Sequence, residues 1–414
     1  MADISTEWWG NGWLVNEPEP WLCGLLGDTL SRTAELLQSG NLPDPLPLLS
    51  MSPSAIQTAS INGTLTTKAQ HSALFAFQTA TLALLHCLGV RANSSYQAVA
   101  SFSMGEPGGA LAAGELSLAQ GAAVMAAMSE VVEQVERRGD NAMMVVKGLS
   151  ETELDQICSS PPAVETSEPL QIEVGAYLKE GLGTLTGDRT SLSMLEKSLT
   201  SEGAGFWANP KITLLKLSQR SRVAYHSFYF ESYREAFVRS LQPVLNTPVK
   251  EELRVPSWYN SVSGGLGGGS THWRGEVQGS DICNPANDAA FWFRCLRERA
   301  STLRAMSKVV QDGYRVFLEV NTQCRFSQWA VDLACELERQ HPTPPAVLGR
   351  AIFDNESGRD HMEQALAAVA DIWVLGCEVD WSAPAYRSAP NAADAFCKES
   401  ALWEAINAWL TTHD

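Results

Sequence analysis

Basic residues are scarce in this chain: 30 lysines and arginines stand against 47 aspartates and glutamates, a formal net charge of -17. Neutralising a phosphate backbone requires concentrated Lys and Arg, so a general nucleic-acid partner is excluded. Long apolar runs are also missing. No stretch reaches membrane-spanning length, and no basic start leads into an apolar block near Met1, so the expectation is a soluble, cytoplasmic protein with no membrane partner. The nine cysteines form no C-x-x-C pair, and the seven histidines show no H-E-x-x-H spacing. A disulfide framework and a metal site are therefore disfavoured, and reduced thiols in the core are the economical reading. The Gly-rich stretch 264–269 lacks the Lys and Ser/Thr that complete a phosphate loop and reads as a linker. No bound cofactor is expected.

What the chain has is ample core material, 45% of 414 residues, and one abrupt change of pattern near residue 103. A β-prone run over 96–100 ends in Ser101-Phe102-Ser103-Met104-Gly105-Glu106, and an Ala-rich, helix-prone segment starts at once with Pro107 in its first turn. A strand, a tight turn and a helix in that order thrust the turn's serine outward. The next backbone N–H, that of Met104, then faces the substrate oxygen at a helix N-terminus. The usual form is G-x-S-x-G, and Ser101 stands where its first glycine would be. A packed turn with no chemistry is the competing reading of Ser103.

Along the chain, residues 1–60 are the least readable: Trp8, Trp9, Trp13 and Trp21 crowd together, a helix is expected over 25–37, and Gly10-Asn11-Gly12 is either a simple turn or a loop that approaches a ligand. Residues 66–88 form an amphipathic helix ending at Gly89, with His71 and His86 read as surface or capping residues. A further helix covers 118–135. From 142 to 217 strands and helices alternate in β-α-β-β-α-β order, the pattern of a small ferredoxin-like unit. His226 directly precedes a helix over 228–241, where it serves either as a cap or core residue or as a group pointing into a cleft. Beyond it come a strand at 257–263, one long helix over 289–309, a strand at 314–320, a helix over 327–338 and a final helix over 395–410.

Six fragments in order carry a family resemblance: Ala73-Leu74-Phe75-Ala76-Phe77, Ser101-Phe102-Ser103-Met104-Gly105-Glu106, Ala113-Gly114-Glu115-Leu116-Ser117-Leu118, Ala224-Tyr225-His226-Ser227, Phe317-Leu318-Glu319-Val320 and Val379-Asp380-Trp381. Together they resemble the malonyl-CoA:acyl carrier protein transacylase family, and within it the acyltransferase domains of polyketide synthases. The resemblance implies an α/β fold: a hydrolase-like large subdomain (61–140 and 218–350) with an inserted ferredoxin-like α+β subdomain (141–217). It leaves 1–60 as a poorly matched N-terminal segment and 351–414 as a linker-like extension. It also implies a ping-pong transfer between thioesters through a Ser-His dyad, with Ser103 as nucleophile and His226 as base and then acid. By the same carry-over, the backbone N–H groups of Met104 and Asn11 form the oxyanion hole, and the loop at Asn321 and Gln323 orients the histidine. The implied substrates are an acyl-CoA and a phosphopantetheinyl acyl carrier protein; Arg220, Arg222, Arg294, Arg297 and Arg299 are either the basic face that docks such a carrier or a solvated helix face.

The family arginine that pairs with a malonyl carboxylate falls on Met128, and Phe102 replaces the family's histidine beside the nucleophile. With Tyr225, these residues are expected to form an apolar acyl pocket. An unpaired buried carboxylate costs several kcal/mol, so a monocarboxylic acyl group is expected over malonyl. The alternatives are a thioester hydrolase using the same dyad, a malonyl transferase and a non-catalytic relative.

Overall fold

The computed structural model describes residues 66–91, 96, 98–161, 169–200, 213–215, 223–247, 249, 257–262, 266–267, 285–320, 326–339, 346–353 and 361–383. The expected helices at 25–37 and 395–410 lie outside them. The architecture is mixed α/β with two packing centres.

The first helix, α1 (Thr67–Cys87), buries Phe75, Phe77, Leu84 and Leu88 at and just beyond its end. It stops at Gly89, whose φ is +79° and where a Cβ would sit 2.3 Å from the Asp380 carbonyl oxygen, so only glycine fits. The Asp380 amide donates to the Gly89 carbonyl at 2.9 Å, so the Val379-Asp380-Trp381 fragment packs back on the start of the fold. Strand β1 (Ala98–Ser101) follows, then a 3-10 turn (Ser103–Gly105) and helix α2 (Glu106–Ala112). Helix α3 (Leu118–Arg138) opens with a capping box between Ser117 and Gln120.

The chain then builds the small unit from β2 (Asn141–Lys147), α4 (Glu151–Ser159), β3 (Ile172–Lys179), β4 (Leu182–Asp188), α5 (Arg189–Thr200) and β5 (Thr213–Leu215). Its sheet runs in the spatial order β5-β2-β4-β3, antiparallel throughout. Alternation along the strands gives this sheet two different faces. Ala142, Met144 and Val146 point into a core shared with α4 and α5, which includes Leu154, Ile157, Leu192 and Leu195. The opposite face, with Met143, Ala176, Leu178 and Thr184, lines a cavity.

After His226 come a 3-10 turn (Phe228–Tyr233), α6 (Arg234–Leu245), β6 (Ser257–Asn260) and β7 (Leu266–Gly267). Strand β6 lies parallel to β1, with Ser101 opposite Asn260. The long helix expected over 289–309 is instead two helices, α7 (Ala289–Arg297) and α8 (Thr302–Gln311), separated by β8 (Ala300–Ser301). The break has a local cause: Ser301 caps α8 by accepting from the Arg304 amide, and β8 pairs in parallel with β3 as a fifth strand of the small sheet. Strand β9 (Val316–Glu319), helix α9 (Phe326–Glu338) and strand β10 (Leu348–Ala351) form a second parallel pair, followed by α10 (His361–Val374).

Two expected boundaries shift. Residues 300–301 belong to the small sheet, although they lie well past 217. Ile352, Phe353, Ala365, Val369 and Ile372 are buried in the main core with α1, α3 and α7, so among the described residues beyond 350 these contribute to packing.

Candidate active site

Only two non-glycine residues among those described adopt a positive φ: Ser103 at 51° and His226 at 57°. Such a backbone costs about 1–3 kcal/mol and persists where the surroundings enforce it. At Ser103 the enforcing elements are β1, which ends at Ser101, and α2, which must start immediately. Gly109 makes this close approach feasible, since a Cβ there would sit 2.2 Å from the Ser101 Cβ. At His226 the enforcing element is the end of α7: the His226 amide donates to the Leu296 carbonyl at 3.0 Å.

The strain brings the two side chains together. Ser103 Oγ lies 2.9 Å from His226 Nε2. On the far side of the ring, Nδ1 lies 2.8 Å from the Glu298 carbonyl oxygen. A carbonyl only accepts, so Nδ1 carries the proton and Nε2 presents its lone pair to the serine hydroxyl. The loop expected to play this orienting role, at Asn321 and Gln323, lies outside the described residues, and the observed partner is Glu298. Its carbonyl becomes available through the helix break that apolar periodicity does not reveal: Glu298 ends α7 in extended conformation, which turns the carbonyl out of the helix ladder.

Burial lowers the His226 pKa from 6.5 to about 4, with the Glu298 hydrogen bond acting in the opposite direction. The imidazole is therefore a free base at neutral pH. We expect the rate of Ser103 acylation by a thioester, followed by intact mass, to hold from pH 8 down to about pH 5 and to fall as pH approaches 4. An inflection at 6.5 would show that the ring is solvated. Because both His226 and His71 are held below 6.5, the unfolded state binds more protons as pH drops. The contribution of these two histidines is thus fully present above 6.5 and is lost as pH falls through about 4 for His226 and about 3 for His71, so folding must be monitored in parallel by circular dichroism.

A buried network underlies the nucleophile. The Glu106 carboxylate, 0% exposed, accepts from the Ser261 amide at 2.8 Å, the Ser261 hydroxyl at 2.7 Å and the Ser101 hydroxyl. Ser101 Oγ in turn accepts from Trp258 Nε1 at 2.8 Å, and Ser261 Oγ accepts from the Ser103 amide at 3.2 Å. Ser101, which departs from the usual glycine, thus has a structural task. The Ser103 amide is committed to this network, while that of Met104 lies one residue further into the turn leading to α2.

The dyad opens on a cavity of about 440 Å³ between the main core and the outer face of the small sheet, with Phe102, His71, Met143, Thr184 and Met306 among its lining residues. Phe102 stacks on Phe326 at 4.9 Å between ring centroids. No lysine or arginine occurs among the described lining residues, and Glu319 is engaged by the Ser327 amide and hydroxyl at 2.9 and 2.8 Å. Two expected pocket residues are placed differently. Met128 is 0% exposed inside the main core and does not line the cavity; with no charge to pair, its lowest-energy place is among Val124, Val131 and Val132, and Met143 supplies a methionine to the wall instead. Tyr225 is buried behind the wall, its hydroxyl 2.9 Å from His71 Nε2. His71, expected at the surface, is 5% exposed and lines the cavity.

Two of the arginines expected to dock a carrier have acidic partners. Arg297 pairs with both carboxylate oxygens of Glu173 at 3.1 and 3.2 Å, tying α7 to β3, and Arg294 pairs with Glu298 at 2.8 Å. A bidentate guanidinium holding two elements together is a tether rather than a free recognition group. Arg220, Arg222 and Asn11 lie outside the described residues. Among the described residues no cluster of His, Cys, Asp and Glu fits a metal ion, and no helix is long and apolar enough to cross a membrane.

No family model matches the chain. It is 26% identical over 322 residues to polyketide synthase GfsA of Streptomyces halstedii, covering 78% of this chain and 4% of that protein. To the non-reducing polyketide synthase olcA of Penicillium canescens it is 28% identical over 181 residues, covering 44% of this chain and 6% of that one. The chain therefore spans a small fraction of the length of these relatives. Among solved structures it resembles the acyltransferase domain from the second module of the salinomycin polyketide synthase, with a TM-score of 0.61 at 19% identity over 87% of this chain and 70% of that one. The loading acyltransferase of the avermectin polyketide synthase gives 0.60 at 20% identity, covering 84% and 92%. FabD from Acinetobacter baumannii gives 0.59 at 15% identity, covering 85% and 91%. The chain has the fold these proteins share.

Proposed function

We propose that this protein is an acyltransferase that moves an acyl group from one thioester to another through an ester on Ser103. The observation that carries this reading is the 2.9 Å contact between Ser103 Oγ and His226 Nε2, both on the wall of one cavity, with the Glu298 carbonyl 2.8 Å from the far ring nitrogen. In this reading the larger packing centre is a hydrolase-like core and the small one a ferredoxin-like insertion. The Ser103 hydroxyl gives its proton to Nε2 as Oγ attacks the thioester carbonyl carbon. The Met104 amide, with a second donor that we assign to Asn11, receives the oxyanion. Collapse breaks the C–S bond, and the departing thiolate takes the proton from Nε2. The second thiol, on the phosphopantetheine arm of a carrier protein, repeats these steps in reverse. Arg220 and Arg222, just ahead of His226 in the chain, are the basic residues we assign to carrier docking.

The absence of lysine and arginine from the described cavity wall supports a monocarboxylic acyl group. A free carboxylate would enter with no cationic partner, at a cost of several kcal/mol. The test is to incubate the protein with acetyl-, hexanoyl- and malonyl-CoA, follow the intact mass, and then add a holo carrier protein. Loading by the monocarboxylic chains and passage of the adduct to the carrier is the expected result. Release of free acid with the carrier present would make the enzyme a hydrolase, and preferential malonyl loading would overturn the substrate assignment.

A further inference from the structure

Ser261 is bonded toward both halves of the dyad. It directly follows β6, which runs parallel to β1 with Asn260 opposite Ser101, so the two chains leave the sheet side by side just ahead of the nucleophile. Ser261 is 0% exposed, and each of its polar atoms is engaged. Its amide and hydroxyl donate to Glu106 Oε1 at 2.8 and 2.7 Å, and its hydroxyl oxygen accepts from the Ser103 amide at 3.2 Å. Its carbonyl accepts from the Ser301 amide at 2.8 Å.

The direction of these bonds is fixed by chemistry. A hydroxyl has one hydrogen, and Glu106 Oε1 takes it, which leaves a lone pair of Ser261 Oγ for the Ser103 N–H. That amide stands at the first residue of the 3-10 turn, on a backbone with φ of 51°, where no earlier turn supplies a carbonyl. The acceptor it finds is Ser261 Oγ. The carbonyl of Ser261 reaches the other half. Ser301 lies on the short extended stretch between α7 and α8, which also carries Glu298, and the Glu298 carbonyl oxygen is 2.8 Å from His226 Nδ1. One residue thus fixes the turn that bears the nucleophile and the segment that orients the base.

We propose that Ser261 is a positioning residue for acyl transfer: it holds the Ser103 turn and the 298–301 segment in a common frame, with Glu106 as its anchor, so that Ser103 Oγ and His226 Nε2 stay at reacting distance. This inference rests on the acyl-serine reading above. Misplacing reacting groups by about 1 Å costs about 100-fold in rate, so a strut on the nucleophile's own backbone acts on the chemical step rather than on substrate affinity.

The test follows Ser103 acylation by intact mass as a function of thioester concentration, using whichever of acetyl-, hexanoyl- and malonyl-CoA loads the unmodified protein fastest. Ser261→Ala removes the hydroxyl and leaves Glu106 its bonds from the residue 261 amide and the Ser101 hydroxyl. We expect its maximal acylation rate constant to fall about 10- to 100-fold while the half-saturating concentration stays within about twofold. Ser261→Thr keeps the hydroxyl and adds a methyl in a fully buried place, so it should lose melting temperature yet recover most of the rate. A positioning role makes the rate follow the hydroxyl; a merely structural one makes it follow the melting temperature. Where either variant fails to fold, Ser261→Cys keeps the shape with only a weak acceptor and should show the same fall in maximal rate. A Ser261→Ala protein with the unmodified maximal rate overturns the inference and leaves the transferase reading intact, as does a loss in both variants that tracks melting temperature or a change in half-saturation alone. Failure of every thioester to load the unmodified protein removes the transferase reading and this inference together.

Discussion

Ser103→Ala abolishes the acyl adduct seen by intact mass and lowers thioester turnover by about 10⁴-fold or more. The two serines of the network beneath it are committed elsewhere: Ser101 Oγ and Ser261 Oγ both donate to Glu106. His226→Ala should fall by a similar factor, because Oγ then lacks a base within reach and remains a neutral alcohol. Residues that act as a unit are not additive, so the double variant should be no slower than the single ones. Alanine at 103 keeps a Cβ and inherits the same backbone strain, so the melting temperature of Ser103→Ala should stay close to that of the unmodified protein. A Ser103→Ala protein that still gains the mass of an acyl group would move the nucleophile elsewhere and end the case for this dyad.

Glu106→Ala is expected to be the most damaging substitution for stability. It strips the acceptor from the Ser261 amide, the Ser261 hydroxyl and the Ser101 hydroxyl in a fully buried place, and leaves a void between α2 and β6. Each stranded donor costs about 1–3 kcal/mol, so three of them give a loss of at least about 3 kcal/mol in denaturant unfolding. Glu106→Gln separates packing from charge. Burial raises the Glu106 pKa from 4.5 to about 7, against the downward pull of its three hydrogen bonds. A folded-state pKa above the unfolded one means that the folded protein holds an extra proton between those values. That contribution is fully present below 4.5 and lost as pH rises through 7. Glutamine does not titrate, so the stability of Glu106→Gln relative to the unmodified protein should improve between about pH 5 and pH 8. A difference that does not change with pH would show that the carboxylate is ionised throughout.

The substrate question turns on where side chains point. Met128 aligns with a charged family residue, which is the ground for placing it at the floor of the acyl pocket, yet a methionine on α3 gains more by packing in the main core than by lining a cavity. The monocarboxylic assignment therefore stands on a different footing, the absence of lysine and arginine from the described wall. Likewise Arg297 looks free along the chain and is a tether in space, because Glu173 lies on β3, whereas Arg294 makes only a half-exposed pair with Glu298 one turn away.

The local pattern of residues 96–114 is enough to read the strand, the turn and the helix, because backbone preferences, small residues and Pro107 act over a few positions. The alternating order of the small unit is legible for the same reason, through periodicity of apolar residues within each element. The contact across 123 positions between Ser103 and His226, the carbonyl of Glu298 that fixes the tautomer, the acceptor role of Glu106 and the arrival of His71 at the cavity have no such local signature. These depend on which elements pack against which. A hydrogen bond between distant residues leaves no spacing in the chain, and a helix break such as that between α7 and α8 becomes favourable only once β3 is there to pair with.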